Sequence, residues 1–359
     1  MKRERLLMAL VGAVLAITLS VGCGDDDDDG ATSAGGDGTT EGSTIRFIQA
    51  PDPVWEVMKD EGIIEEWEDE TGITVETQDT FDYFGLFVGR HADVVSANTY
   101  QTPLFDARGI PTVTFGKYNA SKDLLVVDGE SDYETAADLP EGCKVAVESL
   151  TGNAIIWSAL VQELDGRELA EESDDLPFVV SDTQIGPDLV TRGDVCAAIA
   201  DPTQIAPFLR TGEVRPLYDG KSVAQLYGEE IEPGHFGVDT NDFVASKEWF
   251  DEHPEEAAAF LELWQQGVDL WKKDPDRVID ADPEGFGVLE PADATFMKDY
   301  VKNTFDFFHD SVYLTPEFVE GERGVFDLLQ EQGVIPEGQE YNEMAIIDPK
   351  TGEVTETLP

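Results

Sequence analysis

Residues 144–160 read KVAVESLTGNAIIWSAL, and the fold turns on how this stretch is understood. The first five alternate around Val145 and Val147 as a short strand does, and 153–164 carry apolar side chains at helical spacing. Between strand and helix sit Ser149, Thr151, Gly152 and Asn153, all small and polar. A serine on a strand-to-helix turn is one way to expose a nucleophile. The same turn can hold a solute through hydroxyls and the free N–H groups at a helix start. Capping of the helix by Ser149 is the purely structural use.

Working outward, the strand-then-helix pattern repeats on both sides. Upstream, strands are predicted at 45–49, 73–77, 92–96, 112–115 and 124–127, with helices at 54–69 and from Tyr83. Downstream come strands at 178–182 and 196–201 around a helix at 186–191. Such alternation predicts parallel sheets covered by helices, here as two α/β units in series. The polar stretch 128–142 is the expected crossover between them, and 219–239 the expected return. The C-terminal third reads as helical. Ala257, Phe260, Leu261, Trp264, Val268 and Trp271 recur at helical spacing after His253-Pro254, and further helices are expected at 296–308 and 316–332. That aromatic stripe is expected to pack in a core.

The N-terminus is an export signal over 1–23: Lys2, Arg3 and Arg5, an apolar run from Leu6 to Leu19, then small residues ending at Cys23. Cys23 is the expected lipidation site, in a segment resembling a lipobox except that Ser20 stands where leucine is preferred. Residues 24–43 lack Leu, Ile, Val and aromatics, and are expected to form a disordered tether. Acidic residues number 76 against 23 basic, a formal charge of −53. That excludes nucleic acid as a partner and leaves the lipid as the only membrane contact. It resembles the composition of halophilic proteins, whose self-repulsion is screened by salt. With Cys23 lipidated, Cys143 and Cys196 form an even pair in an oxidising compartment, either as a disulfide or as two buried thiols.

Catalytic signatures are absent. The chain contains no H-E-x-x-H, C-x-x-C, G-x-S-x-G or S-x-x-K. His91, His235, His253 and His309 lack metal-ligand spacing, so neither a metal nor a cofactor is expected. The informative residues lie where the strands end, since ligands of parallel α/β sheets sit beyond their carboxyl ends. There the sequence places Asp52, then Tyr83 and Phe84, Asn98 and Thr99, Ser149, Thr151, Gly152 and Asn153, and Asp201. Hydroxyls, amides and aromatics in this mixture suit a small solute.

Four stretches carry a family resemblance: RHADVV at 90–95, ARGIPTV at 107–113, ADLPEGCKVAV at 137–147, and NDFVASKEWF at 241–250 with His253-Pro254-Glu255. Taken in order over roughly residues 45–275, they resemble the substrate-binding lipoproteins of ABC importers, in the branch of nitrate, sulfonate, taurine and thiamine-precursor binders. The resemblance implies a type II periplasmic-binding-protein fold, with lobe one formed by 44–128 plus 229–359 and lobe two by 129–228. It implies a small-molecule solute held in the cleft, ABC permease subunits as partners, and an extracytoplasmic, membrane-anchored location. It makes Ser149 a cleft donor facing Tyr83, Asn98 and Thr99. A thiamine-pyrimidine-synthase-like enzyme shares this family, but its cysteine-rich segment is missing here. An acidic scaffold lipoprotein is the remaining alternative. The helix start favours an anion, yet the strand-end loops offer no Arg or Lys. Lys117 and Arg108 are the nearest basic residues. Trp55, Tyr83, Phe84, Tyr118 and Trp157 would suit a heterocycle or a cation, which ranks a small organic solute above nitrate.

Overall fold

The computed structural model describes residues 42–339 and 342–358; the signal segment, the tether and Cys23 lie outside them. The described strands form two sheets. The first contains β1 (Thr44–Gln49), β2 (Thr74–Asp79), β3 (Val94–Ala97), β4 (Thr112–Ala120), β11 (Asp239–Ser246), β12 (Glu343–Ile347) and β13 (Val354–Leu358). Their order is β13-β12-β4-β11-β3-β1-β2. The second contains β5 (Leu124–Asp128), β6 (Val145–Val147), β7 (Leu169–Ala170), β8 (Leu176–Val180), β9 (Ala197–Ala200) and β10 (Val214–Pro216), in the order β10-β5-β9-β6-β8-β7. β1 lies parallel to β2 and β3, and β6 lies parallel to β8 and β9. β3 and β4 are buried along their whole length, as central strands covered on both faces must be.

The first sheet packs against the helix Pro254–Lys273. Its aromatic stripe is core, as expected: Trp264 stacks on Trp55 at 5.0 Å and on Tyr118 at 4.6 Å between ring centroids. Phe47, Phe243 and Phe260 complete the cluster. Trp55 and Trp157 are fully buried packing residues and offer nothing to a ligand.

The chain crosses between sheets elsewhere than its polarity suggests. β4 ends at Ala120 and β5, already in the second sheet, starts at Leu124, so the outward crossing is Ser121-Lys122-Asp123. The polar stretch 128–142 stays with the second sheet. Its carbonyls are met by arginines: Arg167 Nη1 donates to Ala136 O and Leu139 O at 2.9 Å, and Arg215 Nη2 to Ser131 O at 2.8 Å. Polarity there marks solvent exposure, whereas a three-residue crossing leaves no trace in composition. The return runs from β10 to β11 and is hydrogen-bonded to the outward one. Ser121 N donates to Val238 O at 2.9 Å, Ala224 N to Ser121 O at 3.1 Å, and Val223 N to Asp123 O at 3.2 Å.

Three further differences follow from packing. The helix expected at 54–69 breaks at Gly62, whose φ of 76° lies in the left-handed region, into Pro53–Asp60 and Ile63–Thr71. The hairpin β12–β13 was not expected; its five-residue strands carry too little alternation to stand out. The lobe limits move too. Sheet one's early strands end at Ala120 rather than near residue 128. The helix Pro316–Glu331 buries Val319, Val325, Phe326 and Leu329 in the core that holds Val145, Val147 and Trp157, so 229–359 does not belong wholly to the first lobe.

Val145 on β6 is registered opposite Ala197 on β9, and Cys143, two residues before Val145, forms a disulfide with Cys196, just before Ala197, with Cα atoms 5.8 Å apart. It closes a loop across 53 residues of sequence, for which loop entropy gives about 4 kcal/mol and experience 2–4 kcal/mol. Thiol titration of the denatured, unreduced full chain should find no more than one free thiol, that of Cys23. The C143S/C196S double variant should lose about 2–4 kcal/mol in urea unfolding.

Candidate functional site

A cavity of about 400 Å³ opens between the sheets, where the strands of both end. From the first sheet it is lined by Asp52 after β1, Tyr83 and Phe84 after β2, Asn98 and Gln101 after β3, Tyr118 and Asn119 on β4, and Asn241 on β11. From the second come Glu148, Ser149, Thr151, Gly152 and Asn153 after β6 and Asp201 after β9. Lys122 and Asp123 reach it from the outward crossing, and Phe286, Phe307 and Phe308 from the C-terminal part. The sequence-expected residues are thus brought to one place, with the exception of Thr99.

Thr99 is fully buried behind the wall, a correction to its expected place in the cleft. The chain after Asn98 turns into a 3₁₀ helix, Thr99–Gln101, which points Thr99 toward β11. Its hydroxyl donates to Asp242 Oδ2 at 2.8 Å. The same turn delivers Gln101, which sequence reading missed although the Asn98…Gln101 spacing is that of a capping box. Gln101 Oε1 accepts from Tyr83 Oη at 3.1 Å and from Asn98 N at 3.2 Å, while its Nε2 donates across the cleft to Thr151 O at 2.7 Å. Neither expected basic residue lines the cavity. Lys117 Nζ donates to Ser311 O at 3.2 Å and sits over the Phe318 ring, and Arg108 is exposed beside Phe84.

None of the four histidines lines the cavity beside Ser149. Its Oγ lies 3.1 Å from Thr151 Oγ1 and accepts from Thr151 N at 3.2 Å. It orders the turn and does not cap the helix Asn153–Asp165, whose N-cap is Gly152 with no side-chain bond. The start of that helix therefore faces the cavity uncapped.

The wall is acidic. Asp52 is occupied: Oδ1 accepts from Val54 N at 2.9 Å and Trp55 N at 3.0 Å, and Oδ2 from Tyr118 Oη at 2.8 Å. Burial raises its pKa, and these donors pull against the rise. Asp201 is occupied as well, by Lys122 at 3.2 Å and by Thr203 N and Oγ1 at 2.8 and 2.7 Å. Asp123 has only the Asn153 amide nearby as a donor, and Glu148 has none. Burial, and after it the charge of Asp201, pushes the carboxyls of Asp123 and Glu148 each up to about 7.

Behind Thr99, where the return crossing enters β11, lies a buried polar network. His309 Nε2 meets Asp239 Oδ1 at 2.7 Å; burial lowers the pKa of that histidine and raises that of the carboxyl. Glu322 meets His235 Nε2 at 2.7 Å and accepts from Val238 N at 2.8 Å. Burial, the largest single influence, lowers the His235 pKa, but the bond to Glu322 and the charges of Glu322, Glu232 and Asp239 together outweigh it and raise it.

No protein-family model and no curated protein matches this chain. Solved structures do. The periplasmic aliphatic sulphonate binding protein SsuA of Escherichia coli aligns at a TM-score of 0.63 and 14% identity, over 88% of this chain and 93% of its own. The alkanesulfonate-binding SsuA of Xanthomonas axonopodis pv. citri, bound to MOPS, aligns at 0.63 and 16% identity, over 85% and 98%. A Candida albicans protein described as having the generic periplasmic binding protein fold aligns at 0.58 and 13%, over 82% and 92%. This is the type II periplasmic-binding-protein fold. In a periplasmic-binding-protein fold the cavity is the space between the lobes. Beside Gln101–Thr151, the lobes are joined by Arg210 of the second, whose Nε donates to Asp293 Oδ1 at 2.7 Å.

Two outcomes are expected. A carboxyl whose folded pKa is raised makes the folded state hold more protons than the unfolded one between about pH 4 and 7, so its stability contribution falls as pH rises through that window. Asp123→Asn should therefore raise the melting temperature at pH 8, by a gain on the order of 2 kcal/mol, and raise it much less at pH 5. His235→Ala should cost roughly 3–5 kcal/mol in denaturant unfolding, because it leaves the fully buried Glu322 without its partner.

Proposed function

We propose that this protein is the extracytoplasmic solute-binding component of an ABC importer, capturing a small organic solute between its lobes and passing it to a membrane permease. The observation that carries this reading is the cavity itself. At about 400 Å³ it has the size of a small-molecule site, and its walls come from both sheets and the crossing between them. Across the cavity itself Gln101 Nε2 reaches Thr151 O at 2.7 Å, a polar contact that a solute can exchange for its own. The likeness in fold to sulfonate-binding proteins supports the same role. The placement outside the cytoplasm rests on the export signal, Cys23 and the tether, and the Cys143–Cys196 disulfide suits an oxidising compartment. The Ser149 hydroxyl is engaged by Thr151 and meets no histidine, lysine or carboxylate among the described residues, which favours the binding reading over the enzymatic one.

A thermal-shift screen of the full chain in high salt, against sulfonates, nitrate, thiamine precursors, other heterocycles and amines, tests this reading. A bound solute at a hundred times its Kd should add about 2.7 kcal/mol, with a melt that climbs with concentration. Gln101→Ala should weaken that solute roughly tenfold by removing the interlobe hydrogen bond. A flat response to every compound, with a particle shape in X-ray scattering that never changes, would sink the proposal.

A further inference from the structure

The geometry points to a solute carrying a protonated amine or amidinium, held by the carboxylates of Asp123 and Glu148. This inference rests on the solute-binding reading and narrows it to a charge class. Four carboxylates line the cavity, Asp52, Asp123, Glu148 and Asp201, against one cation, Lys122. Two of the four are satisfied within the protein: Asp52 by a helix start and Tyr118, and Asp201 by Lys122 and Thr203. The other two are left over. Asp123, on the crossing, is only 7% exposed, and Glu148 stands at the end of β6. A carboxylate that far from water is tolerated when a counter-charge reaches it. The charge of Lys122 opposes the rise at Asp123, but its amine is bonded to Asp201 at 3.2 Å and the Asp123 carboxyl stays raised.

Independent of the carboxylates, the cavity wall holds polar atoms without partners. Tyr100 Oη and Asn119 Oδ1 belong to residues 1% and 2% exposed, both lining the cavity, and neither atom has a hydrogen-bond partner. Asn153 Oδ1 is in the same position. Two of these three are carbonyl oxygens, which can only accept, so the wall as a whole asks its occupant for N–H donors. Phe84, Phe286, Phe307 and Phe308 add ring faces of the kind that suit an organic cation, and Lys122 Nζ already lies 4.7 Å from the centre of Phe307. The uncapped helix start at Asn153 argues for an anion, but it opens into the space that Asp123 and Glu148 share. An anion there would meet two like charges and no free lysine.

A pH signature follows. Asp123 and Glu148 ionise near neutrality, Asp201 facing both of them, Asp182 acting on Glu148, and Lys122 opposing at Asp123; Asp52 is the acid of the opposite wall. A bound cation favours their ionised forms, so binding releases protons and strengthens from pH 5.5 to pH 8.

Isothermal titration of the full chain would use phenethylamine, benzamidine and agmatine beside benzenesulfonate, ethanesulfonate and nitrate, at both pH values and in buffers of different ionisation enthalpy. At least one cation should bind at pH 8 with little proton release, and bind about tenfold or more weakly at pH 5.5, where binding releases protons. The isosteric variants Glu148→Gln and Asp123→Asn should each weaken it at least about tenfold while their melting temperatures show a folded protein. Binding by an anion with no cation binding would overturn the charge assignment and leave the solute-binding reading standing. Binding of a cation that both variants retain would also overturn it, by placing the cation elsewhere. Silence from both series would overturn both readings together.

Discussion

Everything about the cleft depends on a crossing only three residues long. Ser121-Lys122-Asp123 carries the chain from the end of β4 to the start of β5, and the return segment is hydrogen-bonded to it at Ser121 and Asp123. Short and paired, this double connection holds the two sheets with their strand ends facing one another. It also places two ionisable side chains, Lys122 and Asp123, in the wall of the cavity. The cavity's lysine and its most buried free carboxylate are there because the connection had to pass through the cleft.

Burial then sorts the acids of this very acidic chain. On the surface, carboxylates repel weakly and salt screens them. In the cleft and behind it each one needs an answer. Asp52 finds helix N–H groups and a tyrosine, Asp201 finds Lys122, Glu322 finds His235, and Asp239 finds His309. Asp123 and Glu148 are the two for which the fold provides little. The same reasoning that explains why most of these groups are stable as they are singles out the pair that awaits something else.

The two lobes owe their separate integrity to different means. The first relies on an aromatic cluster, in which Trp55, Tyr118, Phe243, Phe260 and Trp264 pack against the central strands. The second is smaller, and a disulfide joins β6 to β9 through the residues just before them. The helix Pro316–Glu331 lies along the second sheet's core although it follows the first lobe in sequence. Between the lobes Gln101 meets Thr151 and Arg210 meets Asp293, while Tyr100 and Met344 pack into the second lobe's core.

By itself the sequence determined the α/β class, the strand ends and the acidic character. Alternation along β6 and β8, helical spacing through the Trp264 stripe and the strand-to-helix turn at Ser149 are local properties, visible without neighbours. That is why Asp52, Tyr83, Asn98, Ser149, Thr151 and Asp201 were legible as wall residues. Only the tertiary structure decided the rest. A three-residue crossing has no composition to read, so Lys122 and Asp123 stayed hidden in it. The direction of a side chain inside a 3₁₀ turn depends on what packs against it, which is why Thr99 went to Asp242 and Gln101 to the cleft. Whether a carboxylate is exposed, paired or stranded depends on groups far away in the chain, and the charge of the cleft is settled by that alone.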